Sequence, residues 1–513
     1  MDKKKFIKTV FSLSVISVVS KLLGLVRESL LASHYGSSGL VDAYKVAYSI
    51  PDVLIFILVV SISHVFIPIY MDVRNEKSKE ETDRFVSNIY NISFFATILI
   101  IILLNLTLGY LVEIMAPGLS TETKNYAVRF SRFIIPSAIF MIFSYISSAY
   151  LQANSNYNIT SIIWIPHNIL IIIGIILSKY NYDWLGIFTF FAICSMFLTQ
   201  IGMVKKTGLK WHSYINLKDP YIKKICRLIP PIIISSSFNQ LYTIIVKIVA
   251  SNFGEGNISA IDYATRVTNL IYNIIFLGFV SVSFVELSLS SNDSQKFNKV
   301  LRDLINFVNI IIFPVISLVI ILRVPIISII YQRGAFSFND TMLTSTLLIG
   351  LAISVLGMSY RALFNKAFYS IEDVKTPMLV GLITVIANII LSIILSKLFG
   401  LVGITASTAL SSIISMLMLI ILLNKKKHYI DSGMIINNFK ILFSSIVMTV
   451  ILLIIIRILG IDIYSNNGLF NHSINIVIIS FLGIIIYGIL LLALRVEGII
   501  HLKSFFQRRS KNV

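Results

Sequence analysis

The 513-residue chain is 56% hydrophobic and only 13% charged, well under the roughly 25% usual in soluble domains, so a soluble globular protein is excluded and an integral membrane protein is expected. A net charge of +19 at pH 7 reads mainly as basic cytoplasmic loops, with an anionic ligand held by bases inside the membrane as the sharper reading, and the two cysteines, Cys194 and Cys226, exclude a disulfide framework.

About 20 apolar residues cross the hydrocarbon core as a helix, and the ten-residue alternation of a membrane barrel is absent. Apolar runs bounded by polar clusters predict an all-α integral membrane protein of about 14 transmembrane helices. They start near residues 8, 43, 86, 129, 158, 184, 226, 258, 302, 342, 377, 400, 436 and 474. The basic N-terminus and the apolar run behind it resemble a signal peptide. No small-x-small site closes that run, however, and charges at 21, 27 and 28 interrupt it, so it reads as a retained first span.

At 100° per residue, Ser14, Ser17, Ser20, Lys21, Gly24, Arg27 and Glu28 of the first span fall in an arc of roughly 140°, while Leu22, Leu23, Val26 and Leu30 lie outside it. The helix therefore has a lipid face and a wet face. Span two places Asp42, Lys45 and Ser49 at i, i+3, i+7, and span seven adds Lys247. Span eight stacks Asp262, Thr265, Arg266, Asn269 and Asn273 in one stripe. The segment "RVPIISIIYQRGAFSFND" is too interrupted to cross and is expected outside, partly along the interface.

"LASHYG" at 31–36 answers "VASNFG" at 249–254, and Lys45-Val46 answers Arg266-Val267 after a slightly longer loop. Spans 1–6 and 7–12 thus read as parallel copies, a recurrent transporter plan with the substrate site between two bundles. The expected division is an N-lobe over 1–224, a C-lobe over 225–428, and an accessory helix pair with a cytoplasmic tail over 429–513. Lys and Arg gather in alternate loops, notably "KKKFIK", "KKTGLKWHSYINLKDPYIKK" and the tail, which places both termini in the cytoplasm.

A charge at the centre of a spanning helix costs at least about 2.5 kcal/mol, so such residues face a cavity or a bundle interior. Within the spans, Lys21, Arg27, Lys45, Lys247 and Arg266 outnumber Glu28, Asp42 and Asp262. A surplus of bases suits a phosphate-bearing ligand, because Arg forks phosphate oxygens and Lys offers a compact charge. The alternatives are structural ion pairs, Arg27 with Glu28 and Arg266 with Asp262, and interfacial solvation of Asp42, Lys45 and Asp262. There is no P-loop motif, His34, His64, His167 and His212 lack ligand spacing, and paired carboxylates are missing. No enzyme activity, cofactor, metal or nucleic-acid partner is expected.

"SKLLGLVRESLLASHYGSSGLVDAYKVAYSIPDVL" resembles the N-terminal signature of the MurJ (MviN) lipid II flippases, and "MAPG", "NQLYTIIVKIVASNFGEGNISAIDYATRV", "YQRGAF" and "AFYSIEDVKTP" are similar to further blocks of that family, in order. The resemblance implies the multidrug/oligosaccharidyl-lipid/polysaccharide exporter fold, two six-helix lobes in a V plus two extra helices whose groove holds a lipid tail. It implies transport of the undecaprenyl-pyrophosphate-linked peptidoglycan precursor to the outer leaflet of the bacterial cytoplasmic membrane, a role in cell-wall biogenesis and cell shape, and membrane lipids and cell-wall synthesis or division proteins as partners. Its substrate cavity maps to Lys21, Arg27, Asp42 and Arg266 here, and Glu28, Lys45, Lys247 and Asn269 complete the candidate set. The sequence departs from the pattern at Ile55 and Phe56, where a basic pair is usual, at Asn269, where Glu is common, and at Asn239 and Asn388, the nearest counterparts of acidic sodium ligands.

Rival readings are an exporter of another polyprenyl-diphosphate-linked glycan, a drug antiporter of the same superfamily, a membrane glycosyltransferase, and a non-transporting scaffold. Bases dominating the spans oppose a cation antiporter. Short outer loops without an acidic cluster oppose a glycosyltransferase, and a scaffold leaves the buried charge unexplained.

Overall fold

The computed structural model describes residues 3–156, 158–465 and 468–497, and leaves the side chains of 3–14, 53–64, 231–239, 275–282 and 285 outside that description. Ser14, Ile55, Phe56, His64, Asn239 and the tail beyond 497 thus lie outside the described side chains. Helices account for nearly all of the described chain: α1 (Lys3–Tyr35), α2 (Gly39–Glu76), α3 (Lys79–Met115), α4 (Thr121–Ile134), α5 (Ala138–Ala153), α6 (Ile159–Ile162), α7 (Trp164–Leu177), α8 (Asp183–Lys206), α9 (Pro220–Ser251), α10 (Asn257–Ser290), α11 (Ser294–Ile321), α12 (Arg323–Tyr331), α13 (Phe338–Ser370), α14 (Lys375–Phe399), α15 (Leu401–Lys427), α16 (Ser432–Ile458) and α17 (Leu469–Ala493).

Among the described residues, ten helical segments are long and apolar enough to cross a membrane. Four more, α1, α2, α9 and α10, have 33, 38, 32 and 34 residues and occupy the places of the expected first, second, seventh and eighth spans. Among the described residues, six of the helix starts are set by N-cap side-chain oxygens. Ser78 and Ser337 close capping boxes, and Ser120, Asp219, Asp293 and Asp431 accept from first-turn amides. Pro136 interrupts the fourth span with one 3-10 turn between α4 and α5. The interrupted segment forms α12 over its first part; its nine residues rise about 14 Å and fall short of a bilayer.

On α3 the exposed apolar side chains run from Phe95 through Leu99, Leu103, Leu106 and Tyr110 to Ile114. At 1.5 Å per residue this stripe is about 29 Å tall, the thickness of a hydrocarbon core.

The chain divides into two compact units: residues up to Ser259 with Gly334–Phe336, and Ala260–Arg333 with Ser337 onward. This packing division differs from the repeat boundary expected at 224/225. Helix α9, by sequence the opening helix of the second copy, packs on α2 and α3 of the first unit.

The first unit is centred on rings. Phe66 stacks on Tyr70 with centroids 5.6 Å apart, and Tyr70 meets Tyr150 edge-on at 5.3 Å, amid buried Val73, Phe85 and Ile146.

In the second unit α13 and α15 approach closely through small residues. A Cβ on Gly350 would lie 2.6 Å from the Thr405 backbone, and one on Gly357 would lie 2.4 Å from that of Ser412. Both pairs are spaced by seven residues, so two successive turns of contact use the same device. The accessory pair α16 and α17 buries Met448, Leu452, Ile479 and Tyr487 with Ile321 and Leu322 of the α11–α12 corner.

Candidate functional site

Helices α1 and α2 are joined by a three-residue turn, residues 36–38. Glu28 and Lys45 stand at nearly equal numbers of residues on either side of it, so an antiparallel pair brings them to one depth, about 12 Å along the helices. They meet there: Lys45 Nζ lies 2.5 Å from Glu28 Oε2, and Arg27 Nη2 lies 2.6 Å from Glu28 Oε1. One carboxylate bridges two cations, with side chains only 14%, 4% and 9% exposed for Arg27, Glu28 and Lys45. The ion pair weighed in the sequence for Arg27 exists, and it carries a second base.

Arg27 is also fixed from outside its own helix. Asn168 of α7 accepts from Arg27 Nη1 at 3.1 Å and donates to the Ser20 carbonyl at 3.2 Å. Ser20 in turn donates to the Ser161 carbonyl at 2.9 Å. Part of the polar arc of α1 is therefore covered by α6 and α7, with Gly24 allowing the approach at 3.9 Å from Asn168. Neither Asn168 nor Ser161 was singled out in the sequence. The available signal was an amide inside "WIPHNILIIIG", because a polar group in a span seeks a partner on a neighbouring helix.

Lys247 of α9 donates to the Lys45 carbonyl at 2.9 Å. Lys21 is half-buried and makes no ion pair or hydrogen bond among the described residues. Asp42 is fully buried. Its two oxygens accept from the Gly256 and Ser259 amides, each at 2.7 Å, so it caps the start of α10 and is shielded from solvent. Gly256 has φ +86, and a Cβ there would sit 2.4 Å from the Ser37 carbonyl oxygen; only glycine fits this corner. Beside it, Glu255 accepts from Ser120 and Thr123 side chains, the latter at 2.6 Å, and these bonds hold its carboxyl below the usual carboxylate range.

In the second unit Arg266 and Asn269 are exposed on α10. Arg266 Nε stands 3.9 Å from Asp262 Oδ2, beyond hydrogen-bond reach, so that ion pair is loose. The first unit thus gathers Arg27, Glu28, Lys45 and Lys247 into one connected group. It places Asp42 one turn away, while Arg266 and Asn269 belong to the second unit. Four cations, counting Lys21, stand against two carboxylates, one of which is occupied by backbone amides. Removing charge from water in this way is tolerated only with compensating anions or solvent.

A family model described as lipid II flippase MurJ matches residues 31–486. The chain belongs to the MurJ family. One relative, the probable lipid II flippase MurJ of Buchnera aphidicola subsp. Baizongia pistaciae, is 26% identical over 465 residues, covering 88% of this chain and 89% of that one. The lipid II flippase MurJ of Thermosipho africanus is 30% identical over 409 residues, covering 79% and 83%. A solved structure described as lipid II flippase MurJ in an inward closed conformation aligns with a TM-score of 0.79 at 28% identity, covering 93% of this chain and 97% of that one. An inward-facing multidrug resistance MATE transporter of the MOP superfamily aligns with a TM-score of 0.63 at 14% identity, covering 81% and 98%, which shows the shared fold. As a MurJ-family protein the chain is a multi-pass membrane transporter of MOP architecture and not an enzyme. Lys21, Arg27 and Glu28 precede the matched range, so the charged group of α1 rests on the geometry above.

Proposed function

We propose that this chain flips lipid II, the undecaprenyl-diphosphate-linked peptidoglycan precursor, from the inner to the outer leaflet of the bacterial cytoplasmic membrane by alternating access. The observation that carries this reading, beside membership of the family, is the Arg27–Glu28–Lys45 group with Asn168 and Lys247 around it. A diphosphate offers several oxygens to a guanidinium fork and an ammonium. Before it arrives, Glu28 partly neutralises both bases and lowers the cost of holding them in a membrane protein. When it arrives, it competes with Glu28 for them, and the binding step becomes an exchange of one anion for another. Arg266, exposed on α10, is proposed as the base of the second lobe, and Lys21, Asp42 and Asn269 as further polar positions of the substrate path. The acyl tail is proposed to stay in lipid beside α16 and α17. Both termini are proposed to be cytoplasmic, with drive from membrane potential or an ion gradient. One charge crossing 100 mV is worth about 2.3 kcal/mol.

The test is complementation in a strain depleted of its own lipid II flippase, with membrane abundance measured for every variant. Arg27→Ala and Arg266→Ala are expected to abolish growth and outward exposure of the precursor at normal abundance, while Lys21→Arg is tolerated. Normal growth from both alanine variants overturns the reading.

A further inference from the structure

The connector between α8 and α9, residues 207–219, is not helical, yet it is tied down along its length. Four residues on one face of α3 hold its backbone. Asp83 accepts from the Lys210 amide at 3.3 Å, and Ser87 accepts from the His212 amide at 3.1 Å. Asn91 donates to the His212 and Tyr214 carbonyls at 3.1 and 3.0 Å. Asn88 both accepts from and donates to the Asn216 backbone, at 2.9 and 3.0 Å.

With the backbone fixed, alternate side chains diverge. His212, Tyr214 and Asn216 turn toward the protein, while Trp211, Ile215 and Leu217 are 54%, 53% and 66% exposed. A soluble loop has no reason to hold three large apolar side chains outward. The Trp211 ring is itself propped on Tyr90, centroids 5.6 Å apart.

Depth along α3 says what those side chains meet. The lipid-facing stripe of α3 begins at Phe95, and Asn91 is one helical turn before it, about 6 Å outside the hydrocarbon boundary. The connector therefore lies in the head-group layer, where tryptophan is favoured. Lys205, Lys206 and Lys223 flank it and Lys210 and Lys218 lie within it, all exposed and without a side-chain partner among the described residues. The nearby acids are engaged elsewhere: Asp83 with Lys79, Asp72 with Lys224, and Glu76 with the Tyr221 hydroxyl.

We propose that the connector 207–219, with the lysines within and beside it, is a docking surface for the anionic phospholipid head groups of one leaflet. The lysines take the phosphates while Trp211, Ile215 and Leu217 enter the layer between them. Each lysine at an anionic surface strengthens association by roughly fivefold, so even partial engagement gives clear selection over zwitterionic lipid. The surface is continuous with the lipid stripe of α3 and is independent of the transported substrate.

The experiment uses the full chain reconstituted in vesicles of phosphatidylcholine and phosphatidylglycerol, with either lipid brominated in turn at equal mole fraction. The signal of Trp211 is the tryptophan quenching of the native chain less that of Trp211→Phe. Brominated phosphatidylglycerol is expected to quench Trp211 several-fold more than brominated phosphatidylcholine. The difference should vanish in high salt, and in a variant carrying Lys→Gln at the five positions; where that variant does not accumulate, the salt series on the native chain decides. Equal quenching by both lipids overturns the selection for anions. Quenching by acrylamide but by neither lipid places the segment in water, as a surface for a soluble partner, and overturns the proposal. Loss of the difference with about 1 mM inorganic pyrophosphate at constant ionic strength assigns the lysines to substrate phosphate and also overturns it.

Discussion

Glu28 reaches both Arg27 and Lys45, at 2.6 and 2.5 Å, and its side chain is 4% exposed. Removing its charge leaves two half-desolvated cations facing each other, and breaking a buried pair from one side costs about 3 kcal/mol. Glu28→Gln is therefore expected to lower the thermal unfolding temperature of the purified chain markedly. Adding Lys45→Met to it should recover part of the loss, because the second change removes one of the two stranded charges; a pair of substitutions that simply add would mean the three side chains do not act as a unit. That the charges of α1 share one face was legible in the sequence, because a charge in a span must face something polar and Arg27 and Glu28 sit together in one arc. That Lys45 joins them was not legible, because it depends on the register across the turn at 36–38. Asn168 and the cap made by Asp42 were out of reach for a related reason: these contacts link positions 141 and 214 residues apart, and no local pattern encodes them.

Apolar run length located the helices well, since the bilayer imposes a length that a sequence must supply. Starts were set too late where a helix begins in water. α3 opens at Lys79 behind Ser78 and α11 at Ser294 behind Asp293, several residues before the apolar runs on which the expected starts near 86 and 302 were based. The placement of α9 on the first unit was also invisible, because a repeat in sequence records ancestry while packing records which faces fit. Between α13 and α15 the fit is made by absence of side chains. In lipid no hydrophobic gain draws helices together, so close backbone approach at small residues carries the association. Gly357→Leu would drive a branched side chain into the Ser412 backbone, 2.4 Å from where its Cβ must lie, and is expected to abolish accumulation of folded protein. Gly357→Ala should cost about 1–3 kcal/mol by overpacking, read as a lower unfolding temperature in detergent. Full stability of both would show that α13 and α15 do not touch at this turn.

For the molecule as a whole, orientation in the bilayer decides which end of the charged group meets the substrate first, and the loops predict it. Lysines and arginines gather beside α8, α9 and α15, and such loops stay on the cytoplasmic side. The chain carries its own reporters, because Cys226 near the start of α9 is exposed while Cys194 within α8 is buried. In spheroplasts a membrane-impermeant maleimide is expected to leave both untouched. In inverted membrane vesicles it should modify Cys226, three residues from Lys223 and next to Arg227, and still miss Cys194. Tyr180, 86% exposed in the turn between α7 and α8, lies one crossing away from the α8–α9 connector. Tyr180→Cys should therefore label in spheroplasts, and in inverted vesicles only Cys226 should react. The opposite pattern would put the lysine-rich connector outside the cell, where the positive-inside bias no longer accounts for it, and would reverse the direction in which the Arg27–Glu28–Lys45 group could receive a lipid-linked diphosphate.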